Sequence, residues 1–242
     1  MSRRYFCGAI VGVLATAAAV SAIGGGATPS MRHARNHRIS NSTSTNWSGY
    51  AVTGGPFTQV SSSWTQPTAT CTGSTAYSSF WVGLDGDTSS TVEQTGTDAD
   101  CSGSTPQYYA WYEMYPKFPT NLNKPVQPGD HLSASVTTDG RGNFTLTISD
   151  STQGWTNVKT AKLRSAKLSS AEVIAEAPSS SGGVLPLANF GTVSFSGATA
   201  NGALLTSSTK NIDPITMQSG STVKAKPSSI SNGAFSVTWQ HS

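Results

Sequence analysis

From Asn46 onward, apolar and polar positions alternate with period two, and no stretch repeats at 3.6 residues over three turns. That alternation predicts strands over residues 46–52, 59–64, 79–84, 91–95, 108–115, 131–137, 144–149, 158–163, 171–175, 192–196 and 235–239. Turn residues separate them: Gly54 and Gly55, then Pro128, Gly129 and Asp130, then Asp139, Gly140 and Gly142, then Gly182 and Gly183. Residues 159–175 are the best helix candidate, and even their start reads as a strand. Many short strands with glycine-rich turns and no internal repeat predict one all-β domain over residues 46–242. The expected architecture is a two-sheet antiparallel β-sandwich of the concanavalin-like jelly-roll type.

The N-terminus has a different pattern. Arg3 and Arg4 precede an apolar run over residues 6–19 and then small residues, the layout of a secretory signal over residues 1–22. Residues 23–45 carry Gly24 to Gly26, then Arg32, His33, Arg35, His37 and Arg38, with no periodicity of either kind. They read as a propeptide or disordered linker. The expected product is secreted, extracellular and monomeric, with no membrane contact in its mature form.

Charge changes this picture in one respect. The formal net charge is +3, but residues 1–45 hold 5 of the 15 Lys and Arg and none of the 12 Asp and Glu. The remainder is therefore 10 − 12 = −2, so the basic character belongs to the leader and gives no ground for nucleic-acid binding. Cys7 falls within the signal, which leaves Cys71 and Cys101 as an even pair in an oxidising compartment, expected to be bridged.

Only 11% of the chain is charged, against about 25% for an ordinary domain, so carboxylates among aromatics need a reason. Serine catalysis lacks a GxSxG turn, and the domain's only histidines, His131 and His241, are poorly placed as bases. No HExxH or clustered His and Cys implies a metal, and no cofactor is expected. The remaining candidates are Asp85, Asp87, Glu113, Glu172 and Glu176. Glu113 stands in Tyr108-Tyr109-Ala110-Trp111-Tyr112-Glu113-Met114-Tyr115, where neither face is plainly solvent, and partial burial would raise its pKa. Glu172 and Glu176 share one strand face about 13 Å apart at ~3.3 Å per residue. Gln94 and Glu93 have opposite parity, and spacing alone does not choose between them.

Five ordered blocks carry more information: residues 81–88 (Trp-Val-Gly-Leu-Asp-Gly-Asp-Thr), 93–96 (Glu-Gln-Thr-Gly), 110–116 (Ala-Trp-Tyr-Glu-Met-Tyr-Pro), 171–176 (Ala-Glu-Val-Ile-Ala-Glu) and 189–191 (Asn-Phe-Gly). With residues 46–49 (Asn-Trp-Ser-Gly), they resemble the glutamic peptidases, or eqolisins, in a bacterial-type form, over roughly residues 46–198. The chain departs from fungal members at Tyr109, Met114 and Ser89. The resemblance implies a sandwich whose concave face holds a catalytic Gln94 and Glu176, with Trp81, Asp85, Glu113, Trp111 and Tyr115 binding protein or peptide substrates. It also implies acid endopeptidase chemistry in which Glu176 activates water, Gln94 holds the oxyanion and no covalent intermediate forms. The rival is a secreted glycoside hydrolase or carbohydrate-binding sandwich using Glu113 and Glu176 as its acid pair. For the basic segment, the expectation is that it lies across an acidic cleft of Asp85, Glu113 and Glu176 at neutral pH. It would leave in acid and be cut before about Asn46.

Overall fold

The computed structural model describes residues 31–40 and 42–242, so the expected signal and the first part of the expected propeptide lie outside the described residues. An N-terminal pair, β1 (Arg38–Ser40) and β2 (Thr43–Ser44), precedes β3 (Trp47–Thr53) and β4 (Gln59–Thr65). Next come β5 (Ser79–Leu84), β6 (Val92–Ser102), β7 (Thr105–Tyr115), β8 (Thr120–Asn121), β9 (His131–Thr138), β10 (Asn143–Asp150) and β11 (Trp155–Lys162). After these follow β12 (Ser170–Glu176), β13 (Ser179–Ser180), β14 (Gly183–Val184), β15 (Thr192–Ala200) and β16 (Ala203–Leu204). The chain closes with β17 (Ile212–Ser219), β18 (Thr222–Pro227) and β19 (Phe235–Trp239). No helix occurs among the described residues.

One sheet runs β17-β3-β12-β5-β6-β7-β8, antiparallel at every step. The other runs β11-β10-β9-β4-β15-β19-β18-β17, again antiparallel. β17 belongs to both, because its first half pairs with β3 and its second half with β18. β2 adds in parallel to β17 at Thr216 and Met217, and β1 pairs with β2. Residues 38–45 therefore take part in the fold, against the expectation of a segment without strands.

Period two decides which side chains meet. Phe80, Val82 and Leu84 of β5 join Val60, Trp64, Leu132, Val136, Phe144, Leu146 and Ile148 in the core between the sheets. Ala171, Val173 and Ala175 of β12 point the same way. The alternate residues of these strands face a second aromatic cluster of Trp47, Trp81, Trp111, Val92, Ile174 and Ile215 on the opposite face of the first sheet. Both faces of β5 and β12 are covered, so every residue of each is buried. Apolar burial on two faces supplies most of the driving force.

Cys71 and Cys101 are bridged, with Cα atoms 5.4 Å apart. The closed loop of 30 residues carries β5 and most of β6. Replacing both cysteines by Ala should cost about 3–4 kcal/mol through the entropy regained by the unfolded chain. Denaturant unfolding of the two proteins checks this, and unchanged midpoints would show that the bridge does not constrain the fold.

Candidate active site

Strand register builds the site in rows across the first sheet. Glu176 of β12 is level with Ser79 of β5, Asp98 of β6 and Tyr109 of β7. Two residues along, Ile174, Trp81, Gly96 and Trp111 form the next row. A third row holds Glu172, Gly83, Gln94 and Glu113. Gly96 is what lets the middle row work: a Cβ there would stand 2.2 Å from the Phe80 carbonyl oxygen and 2.5 Å from Trp81 Cβ. Only hydrogen fits, so Trp81 can pack directly against the backbone of β6.

Across this face runs an extended stretch of the N-terminal segment. Arg32 exchanges two backbone hydrogen bonds with Ser179, at 2.8 and 2.9 Å, as an added strand would. The His33 N–H donates to Glu113 Oε2 at 3.1 Å, and the Gln94 amide donates to the His33 carbonyl at 2.5 Å. The Ala34 backbone N–H lies on the Glu176 side of the segment and favours the charged form of that carboxyl. Trp47 Nε1 donates to the Ala34 carbonyl at 2.9 Å, and Asn46 Nδ2 donates to the Arg35 carbonyl at 3.1 Å. The His33 imidazole stacks on Trp111, with centroids 3.5 Å apart and planes 7° apart. Its Nδ1 lies 3.0 Å from Ser79 Oγ and 4.0 Å from Glu176 Oε2.

The segment also seals the cleft, and burial dominates its electrostatics. Glu176 is fully buried, and its pKa stands well above the usual carboxylate range, first from burial and then from the neighbouring Glu113. Burial raises Glu113 too, opposed by hydrogen bonds from the His33 backbone and the Gln94 side chain. Asp98, which accepts from the Trp111 indole, is raised by burial and by Asp100. His33 is pushed well below the usual imidazole range by burial, so it is neutral in this arrangement. Both acid and imidazole favour their uncharged forms.

The expected electrostatic partners therefore change. His33 meets Glu113 through its backbone N–H, and its neutral ring, stacked on Trp111, stands 4.0 Å from Glu176 rather than pairing with it as a cation. The ion pairs sit at the rim, where Arg38 lies 3.0 Å from both Asp87 and Asp213. Arg32 donates to the Pro116 carbonyl at 2.7 Å and caps the Phe118 ring.

Of the residues singled out in the sequence, Gln94, Glu113, Trp111, Trp81 and Glu176 converge. Gln94 also donates to Glu113 at 3.0 Å, which fixes its amide, and Trp81 Nε1 donates to Glu176 Oε2 at 2.8 Å. Tyr115 is half-buried against the same aromatic cluster. Asp85 is a correction. Its two oxygens accept the backbone N–H groups of Lys167, Leu168 and Ser169, so it pins the chain entering β12 and has no oxygen free for a substrate. Glu93 pairs in register with Leu84 and Met114, whose side chains belong to the core between the sheets, and Gln94 alone of the two meets the segment. Glu172 shares Glu176's face but neighbours Ser170, Asp87, Asp85 and Glu93. Sequence reasoning missed Ser79 and Asp98, which no local motif marks, and named His33 only as one of five basic residues in the segment expected across the cleft. Asn46 was read only as the start of the domain, but its side chain reaches Glu176 Oε1 at 3.5 Å.

Residues 45–239 match the model of the peptidase A4 family. The chain is 28% identical to aspergillopepsin-2 of Aspergillus niger over 181 residues, which is 65% of this chain and 64% of that protein. It is 36% identical to scytalidopepsin B of Scytalidium lignicola over 111 residues, 45% of this chain and 41% of the relative. Less than two thirds of either curated relative is thus spanned. Among solved structures, scytalido-glutamic peptidase bound to a transition state analog inhibitor superposes with a TM-score of 0.71 at 27% identity. That superposition covers 81% of this chain and 98% of that structure.

Proposed function

The chain belongs to the peptidase A4 family, and from that membership we propose that it is a secreted acid endopeptidase made as an inactive precursor. The observation that carries the reading is the convergence of Gln94 and Glu176 on one backbone peptide of an extended segment. An amide donor on the carbonyl oxygen and a carboxyl beside the amide nitrogen are the two groups that peptide hydrolysis needs.

In the open enzyme, Glu176 as carboxylate takes a proton from water while that water adds to the scissile carbonyl carbon. Gln94, its amide held by Glu113, donates to the oxyanion, and Glu176 returns the proton to the departing nitrogen. Trp81 holds the carboxyl in place throughout. Preorganised donors in a site shielded from water stabilise such charge strongly because nothing must reorganise. Within the precursor, burial under residues 31–45 keeps Glu176 protonated and the cleft filled, which is how the segment inhibits. Removing it admits water, relieves the burial and returns the carboxyl towards its ordinary range near 4.3. Acid operation follows.

A glycosidase would need two carboxyls free to act, whereas Glu113 is engaged in positioning Gln94. The direct test is incubation of processed protein with a denatured protein from pH 2 to 7, with and without an aspartic-peptidase inhibitor. Digestion is expected below about pH 5 and resistant to the inhibitor. Absence of cleavage at every pH would end the peptidase reading.

A further inference from the structure

The N-terminal segment does more than fill the cleft: its register singles out one bond. We propose that the peptide bond between His33 and Ala34 is itself a substrate, cut by its own chain as the first processing step. The inference rests on the peptidase reading and extends it to a named bond.

Three observations bear on it. First, the reactive groups straddle this bond and no other. Gln94 donates to the His33 carbonyl at 2.5 Å, and the Glu176 carboxyl, 4.0 Å from His33 Nδ1, is influenced by the Ala34 backbone N–H of the same peptide unit. Second, the chain is held on both sides as a strand-like ligand. Arg32 pairs with Ser179 and the Asn36 N–H donates to the Gly86 carbonyl at 3.2 Å, while Trp47 and Asn46 bind the carbonyls of Ala34 and Arg35. These contacts take main-chain atoms, so a peptide of different sequence can use them. Third, the residue contributing the carbonyl has a fitted pocket: the imidazole lies flat on Trp111, faces Ser79 and is wholly buried. Ala34, whose nitrogen would depart, is also buried. The bond before Asn46, by contrast, is built into the frame, since the Asn46 N–H donates to Ser44 Oγ at 3.2 Å.

The step balances with water as the sole co-reactant. Glu176 first passes its own proton to the His33 imidazole, whose Nδ1 lies 4.0 Å from Oε2. Water then adds to the His33 carbonyl carbon, and the freed carboxylate takes the water's proton. The carbon–nitrogen bond then breaks, and the proton passes to the Ala34 nitrogen. The products are a peptide ending in the His33 carboxylate and a chain beginning at Ala34. Residues 34–45 can leave afterwards, so the first cut and the final mature terminus need not coincide.

The test moves full-length precursor from pH 7 to pH 3.5, with a denatured protein added as an internal reporter, and follows intact mass and N-terminal sequence with time. The first new terminus should be Ala34, at a rate unchanged by tenfold dilution. The Glu176→Gln precursor should stay uncut. His33→Asp should slow the first cut at least tenfold, and Arg35→Ala, whose side chain is exposed, should not. A synthetic peptide of residues 31–39 should be cut at the same bond by processed enzyme. If the reporter is digested while the first terminus lies elsewhere, or the first cut depends on concentration, this inference fails and the peptidase reading stands. If neither reporter nor precursor is cut, the peptidase reading itself fails.

Discussion

Glu176→Gln and Gln94→Ala each lower peptide hydrolysis by roughly two orders of magnitude or more, the scale expected for losing an acid–base group or an oxyanion donor. The two losses have different physical origins. Gln at position 176 keeps the size of Glu and can still accept from the Trp81 indole, but it cannot take a proton from water. Ala at position 94 leaves the His33-type carbonyl without its donor and frees Glu113 to turn away. Each variant should be processed first by a trace of tagged wild-type enzyme, later removed, so that an uncut segment is not mistaken for lost chemistry. Far-UV circular dichroism should be unchanged in both. Substantial activity in Glu176→Gln would shift the base to Glu172, which shares its sheet face, or end the peptidase reading. The geometry disfavours Glu172, because its neighbours are Ser170 and three other carboxylates rather than the bound segment.

Much of this frame is legible along the chain, because alternation is a local property. The strand expected at 79–84 is the one observed, and so is that at 235–239. What escapes is structure fixed by distant partners. The strand expected at 91–95 runs on to Ser102, because Asp98 and Asp100 look like turn residues. They are tolerated in the sheet since Trp111, Tyr109 and Ser78 donate to them. β17 goes unread because Pro214 breaks its pattern, although that position pairs with Tyr50 of β3 in the sheet. β1 and β2 exist only through pairing with each other and with Thr216 and Met217. The site divides the same way. Gln94, Glu113 and Glu176 sit in the ordered blocks that carry the family resemblance, so position along the chain was enough to single them out. His33 is one of several basic-looking residues in a tail, and nothing near it in sequence marks it as the one that enters the cleft. Asp85 stands in the most conspicuous block and turned out to hold a loop. Prominence in sequence marks where a group is needed, and leaves open whether the need is chemical or structural.

The same burial that tunes the site should also invert the usual pH dependence of stability. Burial raises Glu93 to about 9 and Asp100 to about 7, and Asp98, Glu113, Glu172 and Glu176 stand well above their ordinary values for the same first cause. A carboxyl whose folded pKa exceeds its unfolded value binds its proton more tightly in the native state. Its stabilising effect is complete below about pH 4.3, the unfolded value, and is lost as pH rises through the folded pKa. Most domains lose stability on acidification because their carboxylates are paired as anions; here the loss runs the other way. Each pKa unit is worth about 1.36 kcal/mol, so Glu93 alone should make a difference of roughly a few kcal/mol between pH 4 and pH 9. His33 opposes this at the acid end. Its folded pKa is lowered, so its contribution to holding the segment is present above about pH 6.5 and fades as pH falls, which favours release of the segment in acid. Urea unfolding in a Glu176→Gln background, free of self-digestion, should give midpoints that are highest near pH 4 and fall steadily towards pH 9. Adding Glu93→Gln removes one titrating proton from the core without changing its volume, so the double variant should match its parent at pH 4 and exceed it at pH 8 to 9. Parallel pH curves for the two proteins would show that Glu93 does not retain its proton in the folded state, and the argument from buried carboxyls would fall with it.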